Sequence, residues 1–403
     1  MYLRSLQLTN YRNFRRLALT LDDQPTIIQA DNAQGKTNLL EAVELLATTK
    51  SARAGSDREL IHWAVASPVD DLAAAEAFGR ISAVVAHPGG ETKADVVIRV
   101  LEGSADDGAG ASVSKSFRVN GLPRRALEFV GEINVVSFSP EDVALVGGPP
   151  AGRRRYLDVT NGQMSGRYLR ALQRYNKVLV QRNQLLRQMR EHGGGQDHTL
   201  PVWDQELATT GAFILQERAR SVTGLAVFAD RWFRELGGWG QQLQVGYRPA
   251  LPEEQSVVLH SVPAETDAAL GGIHSAFIQA LERGRQRDVA AGMSLIGPHR
   301  DDLCFVVDGI DMNVYGSRGQ QRLAALSLKL AELDLLAARV GSRPILLLDD
   351  ALGELDGAKQ AAVLRVAAGG GQTLLTVTHA DAVDRNALPD APVLHLAAGA
   401  LVG

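Results

Sequence analysis

The sequence predicts an α/β protein whose wound sheet is divided between the two ends of the chain, with a helical arm inserted between them. Three observations predict it. Strand-like and helix-like apolar patterns alternate at both ends of the chain. A Gly-Lys-Thr loop joins a strand to a helix at Lys36, yet the acidic strand end that such a loop requires comes only at Asp349, 313 residues later. The stretch between them turns long-period helical and basic after residue 149. The expected division is 1–148 and 292–403 for the two-part α/β portion and 149–291 for the arm, which suits a 403-residue chain too long for one small core.

The elements follow in order. Leu3-Arg4-Ser5-Leu6-Gln7-Leu8 alternates as a half-buried strand does, and residues 17–21 repeat the pattern. Pro25-Thr26-Ile27-Ile28-Gln29 is a strand, and Asn38-Leu39-Leu40-Glu41-Ala42-Val43-Glu44-Leu45-Leu46 carries helical spacing, with a loop between them. Residues 81–100 read as a hairpin turning at Gly89-Gly90, and Asn120-Gly121 is a tight-turn pair. Helical segments run over 153–190, where a break at Gly193-Gly194-Gly195 ends them, and over 201–236. Strands return after Gly292, with a hairpin at Asp308-Gly309. A helix over 320–340, the strand Ile345-Leu346-Leu347-Leu348, a helix over 358–367 and the strand Thr373-Leu374-Leu375-Thr376-Val377 complete the pattern.

Composition excludes several classes. No apolar run approaches the roughly 18 residues of a membrane span, and Met1-Tyr2-Leu3-Arg4-Ser5 does not open a secretory signal; the expectation is a cytoplasmic protein without a membrane partner. The single cysteine, Cys304, can form neither an internal disulfide nor a zinc cluster and reads as a small core residue in a buried strand. A net charge of −4 argues against a general nucleic-acid coat, so any DNA surface must be local. Residues 149–191 supply it: nine arginines and one lysine stand against Asp158 and Glu191, a surplus of eight positive charges.

Chemistry concentrates at five places. Ala30-Asp31-Asn32-Ala33-Gln34-Gly35-Lys36-Thr37 fits the phosphate-loop pattern except at its first position, where Ala30 replaces glycine. Such a loop turns backbone N–H groups and Lys36 toward phosphate oxygens, while Thr37 ligates Mg²⁺. If Ala30 needed a positive φ, its Cβ would cost about 1 kcal/mol. Asp349 would hold the metal through water and Asp350 would polarise the attacking water. Ser317-Arg318-Gly319-Gln320 opens a long helix with a capping serine and resembles the S-G-G-Q signature of ABC ATPases, which binds the γ-phosphate held by a partner subunit. Gly353-Glu354-Leu355-Asp356 stands where the ABC D-loop follows, and His379 where the switch histidine follows the last strand. His299-Arg300-Asp301 looks like a kinase catalytic loop, but Val306 occupies the position of its asparagine.

Together these motifs resemble the RecF family, short-armed relatives of the chromosome-maintenance ATPases with an ABC-type P-loop head. The matching segments include Leu8-Thr9-Asn10-Tyr11-Arg12-Asn13-Phe14, the loop through Asn38-Leu39-Leu40-Glu41-Ala42, Phe138-Ser139-Pro140-Glu141-Asp142, Arg153-Arg154-Arg155-Tyr156-Leu157-Asp158, Gln181-Arg182-Asn183 and Gly297-Pro298-His299-Arg300-Asp301-Asp302. The resemblance spans Leu8 to His379. It implies a DNA repair and replication protein that binds ATP and Mg²⁺, forms an ATP-dependent homodimer, hydrolyses ATP slowly in a DNA-dependent way, and helps to load recombinase at single-strand gaps and in the SOS response with RecR, and possibly RecO. It further implies that Asp31, Asn32, Ala33, Gln34, Gly35, Lys36, Thr37, Asn38 and a nearby Arg12 form one half of each ATP site, with Ser317, Gly319 and Gln320 of the partner forming the other. Asp350 and His379 are the implied catalytic residues. Arg153, Arg154, Arg155, Arg167, Arg170 and Arg174 are the expected DNA contacts, although the first three could equally pair with acids. No glutamine for the Q-loop stands near Phe138-Ser139-Pro140. The competing readings are the ATP-binding subunit of a transporter and a tether with a vestigial ATP site.

Overall fold

The computed structural model describes residues 1–66, 77–101, 112–192, 198–237, 240–260, 267–353 and 355–402. The chain forms two compact units, one of Met1–Asp142 with Glu332–Gly403 and the other of Val143–Ala331. Thus both ends of the chain do share a unit, and the return to it comes at 332 rather than 292. The difference has a local cause: Asp302–Val307, the first strand after Gly292, pairs with Leu243–Arg248 of the intervening unit.

In the first unit the central sheet runs in the order Val135–Phe138, Ile345–Asp349, Thr373–Val377, Thr26–Gln29, Val393–Ala397, all parallel, with Ala400–Val402 closing one edge antiparallel. Ile345 through Leu348 and Leu374, Leu375 are all buried, as strands covered on both faces must be. Strands from residues 26–29 and 345–377 therefore end side by side, and the carboxyl ends of a parallel sheet are where such folds bind ligands. The register sets Asp349 opposite Thr376 and Val377 opposite Gln29.

A second, antiparallel sheet has the order Phe14–Thr20, Tyr2–Tyr11, Phe78–His87, Gly90–Leu101, Ser112–Val119, Leu122–Arg124. Its apolar face, including Leu6, Leu8, Ile81, Val85, Val96 and Ile98, joins one core with Leu39, Val43 and Leu46 of the helix Lys36–Thr48 and with Ile28, Leu347 and Leu374 of the parallel sheet. The helix after the phosphate loop is thereby held in the core common to the two sheets. Asn120 (φ 50°) and Gly121 (φ 80°) make the expected tight turn, with Val119 paired to Leu122. The turn of the preceding hairpin lies one residue earlier than expected, at Pro88-Gly89, since His87 pairs with Gly90.

The second unit contains the helices Pro150–Met164, Gly166–Glu191, Leu200–Gly237, Glu253–His260 and Asp267–Ala291, with a three-stranded sheet of Ile310–Asp311, Asp302–Val307 and Leu243–Arg248. The helical segments expected over 153–190 are two helices, broken at Ser165, whose side chain caps the second by accepting from Tyr168 N. The glycine break at 193–195 lies outside the described residues. Cys304 is only half-buried, because Leu303, Phe305 and Val307 take the core face of its strand and the alternation turns it outward. It is therefore not the core residue the sequence suggested.

The core of this unit is crossed by buried ion pairs. Arg218 donates to Asp158, Asp301, the Tyr168 hydroxyl and Pro298 O, while Arg182 donates to Asp204, Asp288 and Ser294. Both arginines are nearly inaccessible (1% and 0%), and a charge so placed is tolerable only when paired and hydrogen-bonded. The Gly297–Asp302 segment thus has a structural explanation: Pro298 O and both Asp301 oxygens anchor Arg218, Tyr247 and Ala250 N.

Candidate functional site

Residues 30–37 leave the end of Thr26–Gln29 and enter the helix Lys36–Thr48. The left-handed turn is made at Ala33 (φ 64°) and Gly35 (φ 109°), whereas Ala30 does not adopt a positive φ. The penalty considered for Ala30 is therefore not incurred. Gly35 is the constrained position: its φ is left-handed, and a Cβ there would stand 2.4 Å from Asn13 Nδ2. Asn13 uses that amide to brace the loop, donating to Gln34 O at 3.0 Å while its oxygen accepts from Asn38 Nδ2 at 2.8 Å. Gln34 Oε1 in turn accepts from Ala398 N. Lys36 is buried and donates to Ala30 O at 2.7 Å, while Asp31, Asn32 and Ala33 are exposed along the loop.

The two distant motifs meet here. Thr37 Oγ1 donates to Asp349 Oδ1 at 3.1 Å, and Thr376 Oγ1 reaches the same oxygen at 2.9 Å. Lys36 Nζ lies 3.8 Å from Asp350. Asp350 sits at φ 47°, a left-handed geometry that aspartate tolerates better than most residues, with its backbone N–H donating to Thr376 Oγ1. Burial raises its carboxyl pKa, opposed by Lys36 and reinforced by Asp349. The donor set fits a divalent ion bound to a nucleotide: a threonine hydroxyl and an aspartate carboxylate adjoin a lysine and a helix N-terminus.

Arg12 is held against the helix that follows the phosphate loop. Its guanidinium grips Glu41 of the helix through two bonds of 2.8 and 2.7 Å and donates to Glu59 O. Glu41 also accepts from Tyr11 and Ser51, and although burial opposes it, these bonds, with Arg12 first, hold its carboxyl pKa below the usual range. Sequence reasoning missed Arg53, which donates to Asp349 Oδ2 at 3.0 Å and lies 3.5 Å from Glu141. Where a Q-loop glutamine was sought after Val135–Phe138, the chain places Glu141. No periodicity or motif marks Arg53; only the fold brings it to the carboxylate.

His379 is exposed immediately after Thr373–Val377. In the segment Gly353-Glu354-Leu355-Asp356, Asp356 caps the helix Gly357–Ala368 by accepting from Lys359 N, and Glu354 lies outside the described residues.

In the other unit, Ser317 and Gln320 cap the helix Arg318–Val340 reciprocally: Gln320 N donates to Ser317 Oγ and Ser317 N to Gln320 Oε1. Ser317, Arg318 and Gly319 are exposed, and among the described residues no atom beyond its own helix turn lies within 4 Å of a Cβ built on Gly319. The end of the helix is thus open to something approaching from outside.

The six arginines expected on DNA divide by burial. Arg153 is buried and bonded bidentately to Asp302 and to Gly148 O, so it is removed from that set. Arg154 donates to Asp301 O, while Arg155 is exposed. Arg167, Arg170 and Arg174 are exposed on the helix Gly166–Glu191. Arg167 lies over the Phe213 ring and Arg174 pairs with Glu206. The surplus counted from sequence therefore overstates the charge offered to solvent.

Among the described residues no helix is long and apolar enough to cross a membrane. The family described as RecF/RecN/SMC N terminal domain matches residues 2–387. A relative from Herpetosiphon aurantiacus, named DNA replication and repair protein RecF, is 40% identical over 399 residues, covering 98% of each chain. Solved structures of the recombination mediator protein RecF with ATPrS and with ATP, both in the RecFOR pathway, superpose with a TM-score of 0.81 at 28% identity, covering 99% and 100% of this chain and 97% of each of theirs.

Proposed function

Since the chain belongs to the RecF/RecN/SMC N-terminal domain family, we propose that it is a DNA replication and repair protein that binds ATP with Mg²⁺, dimerises around it, and acts on DNA at single-strand gaps. The observation that carries this reading is the 3.1 Å junction of Thr37 with Asp349 across 312 positions of sequence, beside Lys36. Two motifs that mean little apart are complementary parts of one nucleotide site.

In this reading Lys36 and the backbone N–H groups of residues 32–37 hold the β and γ phosphates, and Thr37 and Asp349 hold the metal. Bound Mg²⁺ offsets charge on the phosphate oxygens. Asp350 orients and polarises water in line with the γ-phosphate, and His379, exposed at the end of its strand, contacts that phosphate or its water. An aspartate is one methylene shorter than glutamate, so Asp350 reaches the water less well and turnover is slow. The capped helix end at Ser317, Gly319 and Gln320 meets the γ-phosphate of the partner chain, as anions favour helix N-termini. Arg155, Arg167, Arg170 and Arg174, with Arg154 partly available, contact DNA phosphates without reading sequence. ATP keeps the dimer closed on DNA and hydrolysis releases it, in concert with RecR and RecO.

The test is light scattering on the full chain with and without ATP and gapped DNA. ATP is expected to double the mass, and Lys36→Ala to abolish both nucleotide binding and doubling. A chain that binds ATP tightly yet stays monomeric at micromolar concentration rules out the two-chain site.

A further inference from the structure

Asp349 is a buried carboxylate with both oxygens engaged by protein donors. Oδ1 accepts from Thr37 and Thr376, and Oδ2 accepts from Arg53 Nη2 at 3.0 Å. Lys36 does not neutralise it, being directed to Ala30 O and toward Asp350. A carboxylate with 4% exposure needs a cation nearby, and Arg53 supplies it. We propose that Arg53 is a resident counter-cation at Asp349 that must withdraw before a divalent ion binds, and that Glu141 is the seat that receives it. This rests on the nucleotide-site reading above.

The geometry permits the exchange without moving the chain. The root of the segment is tied down, since Arg53 N and Ala54 N both donate to Ser51 Oγ at 2.9 Å and Ser51 donates to Glu41 on the phosphate-loop helix. The end of the side chain is not: Arg53 is one-third exposed, Glu141 three-quarters exposed, and the nitrogen bonded to Asp349 already lies 3.5 Å from Glu141 Oε2. Rotation about the arginine torsions transfers the charge from the buried acid to the exposed one. Mg²⁺ demands near-octahedral oxygen geometry with its own waters, which a guanidinium on Oδ2 obstructs, and two like charges a few ångströms apart repel strongly in a partly buried site. Metal loading and arginine withdrawal are therefore one event, and Arg53 is a positioning residue that sets the metal concentration at which the site fills.

The experiment is a Mn²⁺ titration of the full chain by electron paramagnetic resonance, in the presence of a non-hydrolysable ATP analogue. Arg53→Ala is expected to lower the half-saturating Mn²⁺ about tenfold, and Glu141→Gln to raise it about threefold. In the Arg53→Ala background the Glu141→Gln change should have no effect, because Glu141 acts through Arg53. Without metal, Arg53→Ala should also melt at a lower temperature than the wild type, a deficit that Mn²⁺ repairs. Arg53→Lys, which keeps the charge but loses the planar fork, should lower the midpoint by less and remains available if the alanine variant does not fold. An unchanged or higher midpoint in either Arg53 variant, or a Glu141→Gln effect of equal size in both backgrounds, overturns the proposal while leaving the nucleotide site standing. Wild type that binds no Mn²⁺ with the nucleotide analogue overturns the site reading and this proposal together.

Discussion

His299 is held neutral by burial. Its Nδ1 accepts from the Tyr175 hydroxyl at 2.7 Å, its Nε2 donates to Ser294 O at 3.0 Å, and burial, with Arg300 and Arg154 nearby, lowers its pKa to about 4. In the unfolded chain the same ring takes up a proton near pH 6.5. Since the unfolded state then binds more protons, stability falls as pH drops from about 6.5 to about 4 and levels off below. The loss is on the order of 3 kcal/mol by linkage. Denaturant titration across that range measures it, and His299→Gln should flatten the profile. At the phosphate loop, Gly35→Ala meets both the left-handed φ of 109° and the Asn13 amide. It should reduce ATP affinity by at least tenfold, with Asn13→Ala in the same chain restoring only part, because the backbone strain remains. Asp350→Asn should retain ATP and the dimer while stopping hydrolysis, read by trapped nucleotide in a single-turnover assay.

Among the arginines that the helix Gly166–Glu191 exposes, Arg167, Arg170 and Arg174 differ in freedom. Arg174 is paired with Glu206 and Arg167 stacks on Phe213, whereas Arg170 is exposed without either constraint. Charge reversal at Arg167, Arg170 and Arg174 together should weaken DNA binding and flatten its salt dependence by roughly one power of salt per lost contact. Arg170→Glu should dominate, and ATP affinity should not change; fluorescence anisotropy at several salt concentrations decides it. On the adjoining helix Leu200–Gly237, Arg218→Met should cost about 3–5 kcal/mol, since it leaves Asp301 and Asp158 without their cation. These elements also show what a sequence can reveal. Apolar runs such as residues 345–348 and 373–377, turn pairs such as Asn120-Gly121 and the phosphate loop are local signals, and all could be located from sequence. The C-terminal strands Val393–Ala397 and Ala400–Val402, the helix Asp267–Ala291 and the burial of Arg153 and Arg182 could not. Several depend on a partner distant in sequence: Thr26–Gln29 for Val393–Ala397, Asp302 for Arg153, Asp204 and Asp288 for Arg182. Arg53 belongs with them.

For the whole molecule, the nucleotide site is assembled from segments separated by most of the chain. Gln372 donates to Leu3 O and Asp22 O and accepts from Leu3 N, and the sheet alternates residues from both ends. Deleting residues 393–402 should expose an edge of Thr26–Gln29 and remove the Ala398 bond to Gln34. The truncated chain is expected to aggregate and bind ATP weakly, which sedimentation and a nucleotide-binding assay would reveal. The same interleaving governs synthesis on the ribosome. At 5–20 residues per second, Lys36 emerges on the order of tens of seconds before Asp349, and during that interval the strand Thr26–Gln29 has neither of its neighbours, Thr373–Val377 and Val393–Ala397. A newborn chain has only half of this site until Asp349 emerges, so a message broken before that codon should yield a product that does not hold ATP with its metal.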